Sequence, residues 1–157
     1  MRVPGTRRGA ARAILLGGLV VGALDALDAI VFFGLRSGVR PIRIFQSIAA
    51  GLLGRAAFQG GAPTAALGAC LHWFIATVIV AIYVLASRRL PALIRHAVPF
   101  GLLYGVAAYA VMNLVVLPLS AASRGSYPVA VLVNGVLIHM LGVGLPSALF
   151  AKAAERW

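Results

Sequence analysis

Residues 13–35 read AILLGGLVVGALDALDAIVFFGL, an apolar run of membrane-spanning length that is interrupted by two aspartates. A helix needs roughly 20 apolar residues to cross a hydrocarbon core of about 30 Å. Residues 65–87, 98–119 and 128–150 form three further runs of this kind. Because lipid offers no hydrogen-bond partners to the backbone, each run must be helical. The sequence therefore predicts a single-domain, all-α, integral membrane four-helix bundle.

The composition also indicates a lipid environment. Of the 157 residues, 62% are hydrophobic and 11% are charged, whereas soluble domains average about 45–50% and about 25%. The formal net charge is +11, but the arginines lie between and beside the apolar runs. They form no basic stripe with interleaved aromatic residues, which a nucleic-acid surface would need. We therefore expect contacts with the bilayer and with anionic lipids, and none with nucleic acid.

The basic residues predict how the chain is oriented. They concentrate in the N-terminal tail, in the loop between the second and third runs, and in the C-terminal tail. An even number of spans puts these three segments on one side, which the positive-inside rule makes cytoplasmic. The predicted location is the bacterial inner membrane, with both termini in the cytoplasm. Four arginines in the long first connection weaken this asymmetry: Arg36, Arg40, Arg43 and Arg55.

The first connection itself has a helical pattern. Within residues 41–58, Ile44, Ile48 and Leu52 recur at helical spacing, and polar residues fall largely on other faces. This pattern is typical of an interfacial amphipathic helix that lies flat or tucks re-entrantly against the bundle. A fifth span is the alternative. Arg55 argues against it, because an arginine in mid-span costs about 2.5–3.5 kcal/mol on insertion scales.

Prolines and one serine mark places where helices begin or bend. Pro99 and Pro128 lie near the first turns of the third and fourth runs, where a missing N–H costs little. Ser126 is a predicted N-cap for the fourth run. Pro146 lies inside that run, where it should kink the helix and free the carbonyl of Gly142.

Glycines recur in two patterns that predict close helix contacts. GLxxG occurs at 18–22 and 101–105, and GxxxH occurs at 68–72 and 135–139. The repeated order indicates two related helical hairpins with an axis along the membrane normal, although a chain with 18 glycines also repeats short patterns by chance. Whether the patterns reflect a repeat or chance, small residues let helices approach closely. The predicted packing positions are Gly18, Gly22, Gly68, Gly101, Gly105 and Gly135.

Each predicted span carries a strongly polar side chain near mid-depth. At a rise of 1.5 Å per residue these side chains fall in a slab roughly 8–10 Å thick. Asp25 and Asp28 share a face with Gly22 and Ala29, and that small-residue face should point into the bundle. Two carboxylates this close in a low dielectric should not both stay ionised unless a cation lies between them. The predicted polar layer is Asp25, Asp28, His72, Asn113, Asn134 and His139.

Three interpretations of this polar layer remain open. It is a proton or cation pathway, since intramembrane carboxylates and histidines mark such routes. Alternatively it is hydrogen bonding between helices in a structural or accessory subunit, at ~0.6–2 kcal/mol per contact. The third interpretation is a metal or haem site built from His72 and His139, with Asp25 and Asp28 as further ligands.

No assured cofactor and no enzymatic activity follow from the sequence. Neither HxxxH nor ExxH occurs in the spans, and no nucleophile elbow, P-loop or zincin motif is found anywhere in the chain. A bundle this small commonly assembles further, so we expect a homo-oligomer or a partner within a membrane complex.

Short motifs in the last three runs resemble a known group of proteins. They are Leu-His-Trp-Phe at 71–74, GLLYG at 101–105, Val-Leu-Pro-Leu at 116–119, His139 and Gly-Leu-Pro at 144–146. Together they resemble the small bacterial inner-membrane proteins of the YagU-like type. The resemblance implies a four-helix membrane protein and no particular activity. Asp25 and Asp28 are not part of the resemblance.

Overall fold

The computed structural model describes residues 6–123 and 128–157, and over this part the chain is helical, with short connections and no strand. Four helices are long and apolar enough to cross a membrane. They are span 1 (Arg7–Ser37), span 2 (Gly61–Ser87), span 3 (Ala97–Leu119) and span 4 (Val129–Arg156). The predicted all-α four-helix bundle is confirmed, and the chain has the architecture of a multi-pass membrane protein.

Span 1 extends beyond the predicted apolar run at both ends. It begins at Arg7 because the Thr6 hydroxyl accepts a hydrogen bond from the Gly9 N–H at 2.9 Å, which satisfies one of the free donors of the first turn. It ends at Gly38, whose φ of 63° lies in the left-handed region that a glycine adopts without strain. The predicted N-cap Ser126 lies outside the described residues.

Thr6, the first described residue, and Trp157 meet at one end of the bundle, which we call the terminal end. The Thr6 hydroxyl donates to the Trp157 carbonyl at 3.1 Å, and the Arg12 guanidinium lies 4.8 Å from the centre of the Trp157 ring. The opposite end, where span 1 leads into the first connection, is the loop end. The half of the bundle next to the terminal end holds a core of buried side chains that includes Val80, Val84 and Ala148.

The spans pack through their glycines. Span 1 packs against spans 2 and 4, and span 3 packs against span 4. A Cβ added at Gly22 would lie 2.8 Å from the Trp73 ring, and one at Gly135 would lie 2.6 Å from the Tyr109 ring. A Cβ at Gly68 would overlap the Phe45 carbonyl, and one at Gly105 would overlap the His139 carbonyl. These backbones therefore approach as closely as small residues allow.

The two hairpins pack in the same register. Gly18 and Gly22 meet Thr77 and Trp73, whereas Gly101 meets Ala148 and Gly144, and Gly105 meets His139 and Met140. Gly101 and Gly105 lie 83 residues after Gly18 and Gly22. Gly144 and Met140 lie 67 residues after Thr77 and Trp73. The hairpin repeat stays a prediction, and this register agrees with it.

A connecting helix, Pro41–Leu53, follows span 1 and runs into a 3-10 turn at Gly54–Phe58. Its 13 residues are too few to cross the hydrocarbon core, so it is no fifth span. The buried Gln46 amide donates to the Gly61 carbonyl at 3.0 Å, and the Ala121 N–H donates to the Gly51 carbonyl at 2.9 Å. The connecting helix therefore joins spans 2 and 3 at the loop end.

Two π-helical turns widen spans 3 and 4, at Met112–Val116 and His139–Gly144. Each lies just before a proline, Pro118 in span 3 and Pro146 in span 4. A proline cannot donate to the carbonyl four residues earlier, and the wider turn accommodates the interrupted bonding. The bend that Pro146 predicts thus takes the form of a π turn. Both turns contain a polar-layer residue, Asn113 or His139, and π turns are frequent at functional sites.

Candidate functional site: a polar cavity inside the bundle

The two aspartates of span 1 face span 4 but have different partners. The Asn134 amide donates to the Asp28 carboxylate at 2.7 Å. The Asp25 carboxylate instead lies 4.0 Å from Nδ1 of His139, which is longer than a hydrogen bond. Asp28 is therefore held by a direct bond between two spans, whereas Asp25 is free to take another partner.

The hydrogen bonding of His139 defines which of its nitrogens can exchange a proton. Nδ1 lies 2.9 Å from the Gly135 carbonyl, one turn earlier in the same span. Because a carbonyl only accepts, Nδ1 must carry a hydrogen, and protonation takes place at Nε2. The side chains of His139 and Asp25 are 17% and 26% exposed, so neither is fully enclosed by protein. The Asp25–His139 pair therefore lies between spans 1 and 4 and is not fully buried.

His72 and Asn113 are each committed to a backbone carbonyl. Nε2 of His72 donates to the Gly22 carbonyl at 2.8 Å and so ties span 2 to span 1. The Asn113 amide donates to the Tyr109 carbonyl at 2.9 Å within span 3. The absence of a side chain at Gly22 lets spans 1 and 2 lie close enough for the His72 bond, because an added Cβ would collide with the Trp73 ring of span 2.

The polar layer surrounds two adjoining cavities. The central cavity, about 330 Å³ in volume, is lined by all four spans and by the connecting helix. The side cavity, about 210 Å³, lies among spans 1, 3 and 4. Five residues line both: Asp25, Ala29, Phe33, Asn113 and His139. The Asp25–His139 pair thus lies where the two cavities meet.

A side groove extends the polar layer towards the lipid-facing surface. Its volume is about 490 Å³, and it runs between spans 1 and 4. Asp28 and Asn134 line both this groove and the side cavity. The other lining residues are Val31, Phe32, Leu35 and Arg36. Leu35 is 86% exposed, so the groove opens outward between the two helices.

The central cavity is closed towards the terminal end. The Tyr104 hydroxyl of span 3 donates to the Ile79 carbonyl of span 2 at 2.6 Å. The Tyr83 and Tyr104 rings contact edge to face, 5.0 Å apart. Val80, which follows Ile79, is fully buried. Ile79 lines the cavity, so Val80 and the two tyrosines next to it lie on its terminal side, and we call this layer the tyrosine floor.

The predicted metal or haem ligands do not come together as one ligand set. Among the described residues, no three histidine, cysteine, aspartate or glutamate side chains form a group that would hold a metal ion. Nε2 of His72 is occupied by the Gly22 carbonyl, and Asp28 is occupied by Asn134. The four candidates thus separate into the Asp25–His139 pair and two residues with other partners.

Sequence reasoning missed four contributors to the site. Tyr104 forms the floor, Ser47 and Phe45 of the connecting helix line the central cavity, and the Gly22 carbonyl binds His72. Tyr104 lies inside the GLLYG motif, so its position carried a signal. A backbone carbonyl has no sequence signature, and Phe45 reads as part of an ordinary apolar face.

No protein-family model, no curated protein and no solved structure matches this chain.

Proposed function

We propose that the protein carries protons or a cation across a membrane and that Asp25 and His139 form the exchange site. The observation behind the proposal is the 4.0 Å contact between these two titratable side chains at the junction of two cavities. Carboxylates and histidines inside membranes mark proton and ion routes.

Water completes the connection between the two side chains. The 4.0 Å contact joins the Asp25 carboxylate to Nδ1, which is bonded to Gly135, and it is too long for direct transfer, so water must carry the proton around the ring. The central cavity of about 330 Å³ has room for about ten waters at ~30 Å³ each. A proton taken up by the Asp25 carboxylate then passes through water to Nε2 of His139, the nitrogen that is not bonded to Gly135.

The charge around Asp25 comes from few groups. Asp28 lies one turn away on its own span, His139 faces it from span 4, and His72 shares the central cavity from span 2. Tyr109 lines the side cavity from span 3, and the lining residues of the connecting helix are uncharged. A proton or cation at Asp25 therefore offsets negative charge that no nearby lysine or arginine of the described residues balances.

Closure at one end agrees with a carrier rather than an open channel. The tyrosine floor and the buried core below it separate the cavities from the terminal end. Release on that side requires spans 2 and 3 to part at Tyr104. The two π turns give spans 3 and 4 places where such a movement can begin.

The proposed location is the bacterial inner membrane with the terminal end in the cytoplasm. Among the described residues, the terminal end carries eight basic residues and the loop end four. The eight are Arg7, Arg8, Arg12, Arg88, Arg89, Arg95, Lys152 and Arg156, and the four are Arg36, Arg40, Arg43 and Arg55. This excess follows the positive-inside rule and provides contacts for anionic lipid headgroups. The resemblance to YagU-like proteins supports the same location.

Proteoliposomes with a pH-sensitive dye inside test the proposal. We expect an imposed pH gradient to collapse faster with the wild-type protein than in empty vesicles. Asp25→Asn, which keeps the shape and removes the titratable group, should reduce that flux to the level of empty vesicles. Glu155→Gln is the matched control, because it makes the same chemical change at the terminal end and should retain the flux. Equal flux from both variants would rule out Asp25 as the exchange site.

A structural or accessory subunit is the second candidate. Two hydrogen bonds favour this candidate, Asp28–Asn134 and His72–Gly22. Each connects two spans, and neither leaves its titratable side chain without a partner. In that case the protein is a homo-oligomer or part of a membrane complex and moves no protons. Wild-type vesicles that hold a pH gradient as long as empty ones, together with lower thermal stability of Asp25→Asn in detergent, would favour this candidate.

A further inference from the structure

The central cavity is larger and more apolar than a proton route requires. Its volume of about 330 Å³ reaches the range of small-molecule pockets, about 300–1,000 Å³. Most of its wall is apolar, and it includes Phe33, Phe45, Ile48, Ile75 and Met112. A chain of waters hydrogen-bonds poorly to such a wall, whereas an apolar ligand gains free energy by covering it.

The charged residues of the cavity wall determine which sign of charge a ligand can carry. Asp25 is the only acidic residue among the described residues lining the central cavity, and no lysine or arginine lines it. An anion would meet no lysine or arginine there and would lie beside the Asp25 carboxylate, and a neutral ligand would leave that carboxylate unpaired. A ligand with a single positive charge pairs with Asp25 at a depth where charges are weakly screened.

A divalent inorganic cation does not fit the same wall. Calcium binds six to eight oxygen atoms, and magnesium needs an octahedral set. The side-chain oxygens that line the central cavity belong to Asp25, Ser47 and Asn113. The remaining wall is aliphatic or aromatic, apart from the two histidines. Its chemistry matches an ammonium group attached to an apolar body, because aromatic rings and a carboxylate both bind such a group.

The side groove provides a route from the bilayer to this site. It shares Asp28 and Asn134 with the side cavity, and the side cavity shares Asp25 and His139 with the central cavity. The three spaces therefore adjoin one another in a series from the lipid-facing surface to the centre of the bundle. An apolar cation concentrates in the bilayer; the groove offers it Asp28, beside Arg36, and the two cavities offer it Asp25.

We infer that the central cavity binds a small lipophilic organic cation, which enters from the bilayer through the side groove and pairs with Asp25. This inference rests on the proposed function, because the same carboxylate holds either a proton or the ammonium group. Exchange of one for the other would make the protein an exchanger of organic cations against protons.

Equilibrium binding of radiolabelled benzyltrimethylammonium to the purified protein in detergent tests the ligand class. This probe carries a permanent charge, and neopentylbenzene is its neutral isostere. We expect saturable binding that unlabelled probe displaces and neopentylbenzene does not. Asp25→Asn should weaken binding by at least about tenfold, because it leaves the buried cation unpaired. Glu155→Gln should bind like the wild type.

A cavity-filling variant keeps the test valid if Asp25→Asn folds poorly. Ala29→Leu places three more carbons in the wall shared by the two cavities and leaves Asp25 intact. It should also weaken binding by at least about tenfold, since the ligand loses the space it fills. Displacement of the probe by neopentylbenzene, or unchanged binding in Ala29→Leu, would overturn the inference.

The rate of uptake tests the route of entry. Val31 lines the side groove, and Leu27 is exposed one turn earlier on span 1 outside all three spaces. Val31→Trp should slow uptake of the probe into proteoliposomes at least about fivefold without changing the equilibrium affinity, whereas Leu27→Trp should change neither. Equal rates in the two variants would overturn entry through the groove.

The two proposals fail in different ways. Proton flux that depends on Asp25, without saturable binding of benzyltrimethylammonium, overturns the organic-cation inference and leaves the proton site standing. Binding that depends on Asp25, in a protein that moves neither protons nor the probe across vesicles, overturns transport and leaves a binding protein for organic cations.

Discussion

Asp25 and Asp28 lie three residues apart on span 1, and their neighbours on span 4 give them separate roles. Asn134 holds Asp28 at 2.7 Å, whereas His139 approaches Asp25 to 4.0 Å. A directly bonded carboxylate stabilises the contact between spans. A carboxylate that has a titratable neighbour and access to water can exchange its ligand. Sequence spacing alone predicted the shared face and could not distinguish these roles.

A double-mutant cycle should show the structural role of Asp28. We expect Asp28→Ala and Asn134→Ala each to lower the free energy of unfolding by about 1–2 kcal/mol, with the double variant little worse than either. The coupling energy should be about 1 kcal/mol, because both changes remove the same hydrogen bond. Unfolding in mixed detergent micelles with increasing dodecyl sulfate measures it.

Asp25 provides the control for this cycle. Asp25→Ala combined with Asn134→Ala should be additive within about 0.5 kcal/mol, because these side chains share no hydrogen bond in the described structure. A coupling as large as that of the Asp28 pair would mean that Asn134 serves both carboxylates.

At the scale of the helices, glycine positions set how closely the spans pack. Gly105 faces the backbone of span 4, where an added Cβ would lie 2.6 Å from the Met140 Cα. The backbone of a packed helix cannot shift as a flexible side chain can. The approach of spans 3 and 4 at this point also fixes His139 in position, because its carbonyl faces Gly105.

Gly105→Ala should therefore destabilise the bundle, by about 1–3 kcal/mol as overpacking does. Gly34→Ala is the matched control within span 1, since its added Cβ would approach no atom closer than 3.9 Å. That change should be neutral or should stabilise by up to ~1 kcal/mol through helix propensity. Dodecyl sulfate unfolding measures both. Equal stability of the two variants would show that spans 3 and 4 can separate at Gly105 without cost.

The sequence predicted the helices better than the contacts between their side chains. Spans appear as apolar runs because a membrane helix requires one, and the predicted connecting helix of 41–58 corresponds to Pro41–Leu53 and Gly54–Phe58. The partners of the polar layer could not be predicted. A π turn changes which face a residue presents, as at Asn113 and His139. A carbonyl partner, such as that of Gly22, is invisible in a sequence.

At the scale of the whole molecule, the two halves of the bundle have different properties. The half towards the loop end contains the cavities and the polar layer, covered by the connecting helix. The half towards the terminal end is a tightly packed core with Ala13, Val80 and Ala148 fully buried. Under the proposed function, this asymmetry corresponds to a carrier that is occluded on one side. Transport then requires the packed half to open, and Tyr104 lies at its boundary.

Cysteine labelling from each side of the membrane tests this asymmetry. With Cys70, the single cysteine, changed to serine, Ala29→Cys places a thiol on the wall of both cavities. We expect a membrane-impermeant maleimide to react with it from the loop end at least about tenfold faster than from the terminal end, because the tyrosine floor blocks the latter route. Vesicles that expose the loop end outward and vesicles that expose the terminal end outward give the two labelling rates.

Adding Tyr104→Phe should reduce the difference between the two rates. The change removes the hydrogen bond to the Ile79 carbonyl, which is worth about 0.6–1.7 kcal/mol in a membrane bundle. The open population should then rise about threefold to twentyfold, and labelling from the terminal end should accelerate by the same factor. Tyr83→Phe is the matched control, since the Tyr83 hydroxyl bonds to Leu93 and does not bridge spans 2 and 3 across the cavity. Equal labelling rates in the two variants would show that the Tyr104 bond makes no separate contribution to closure.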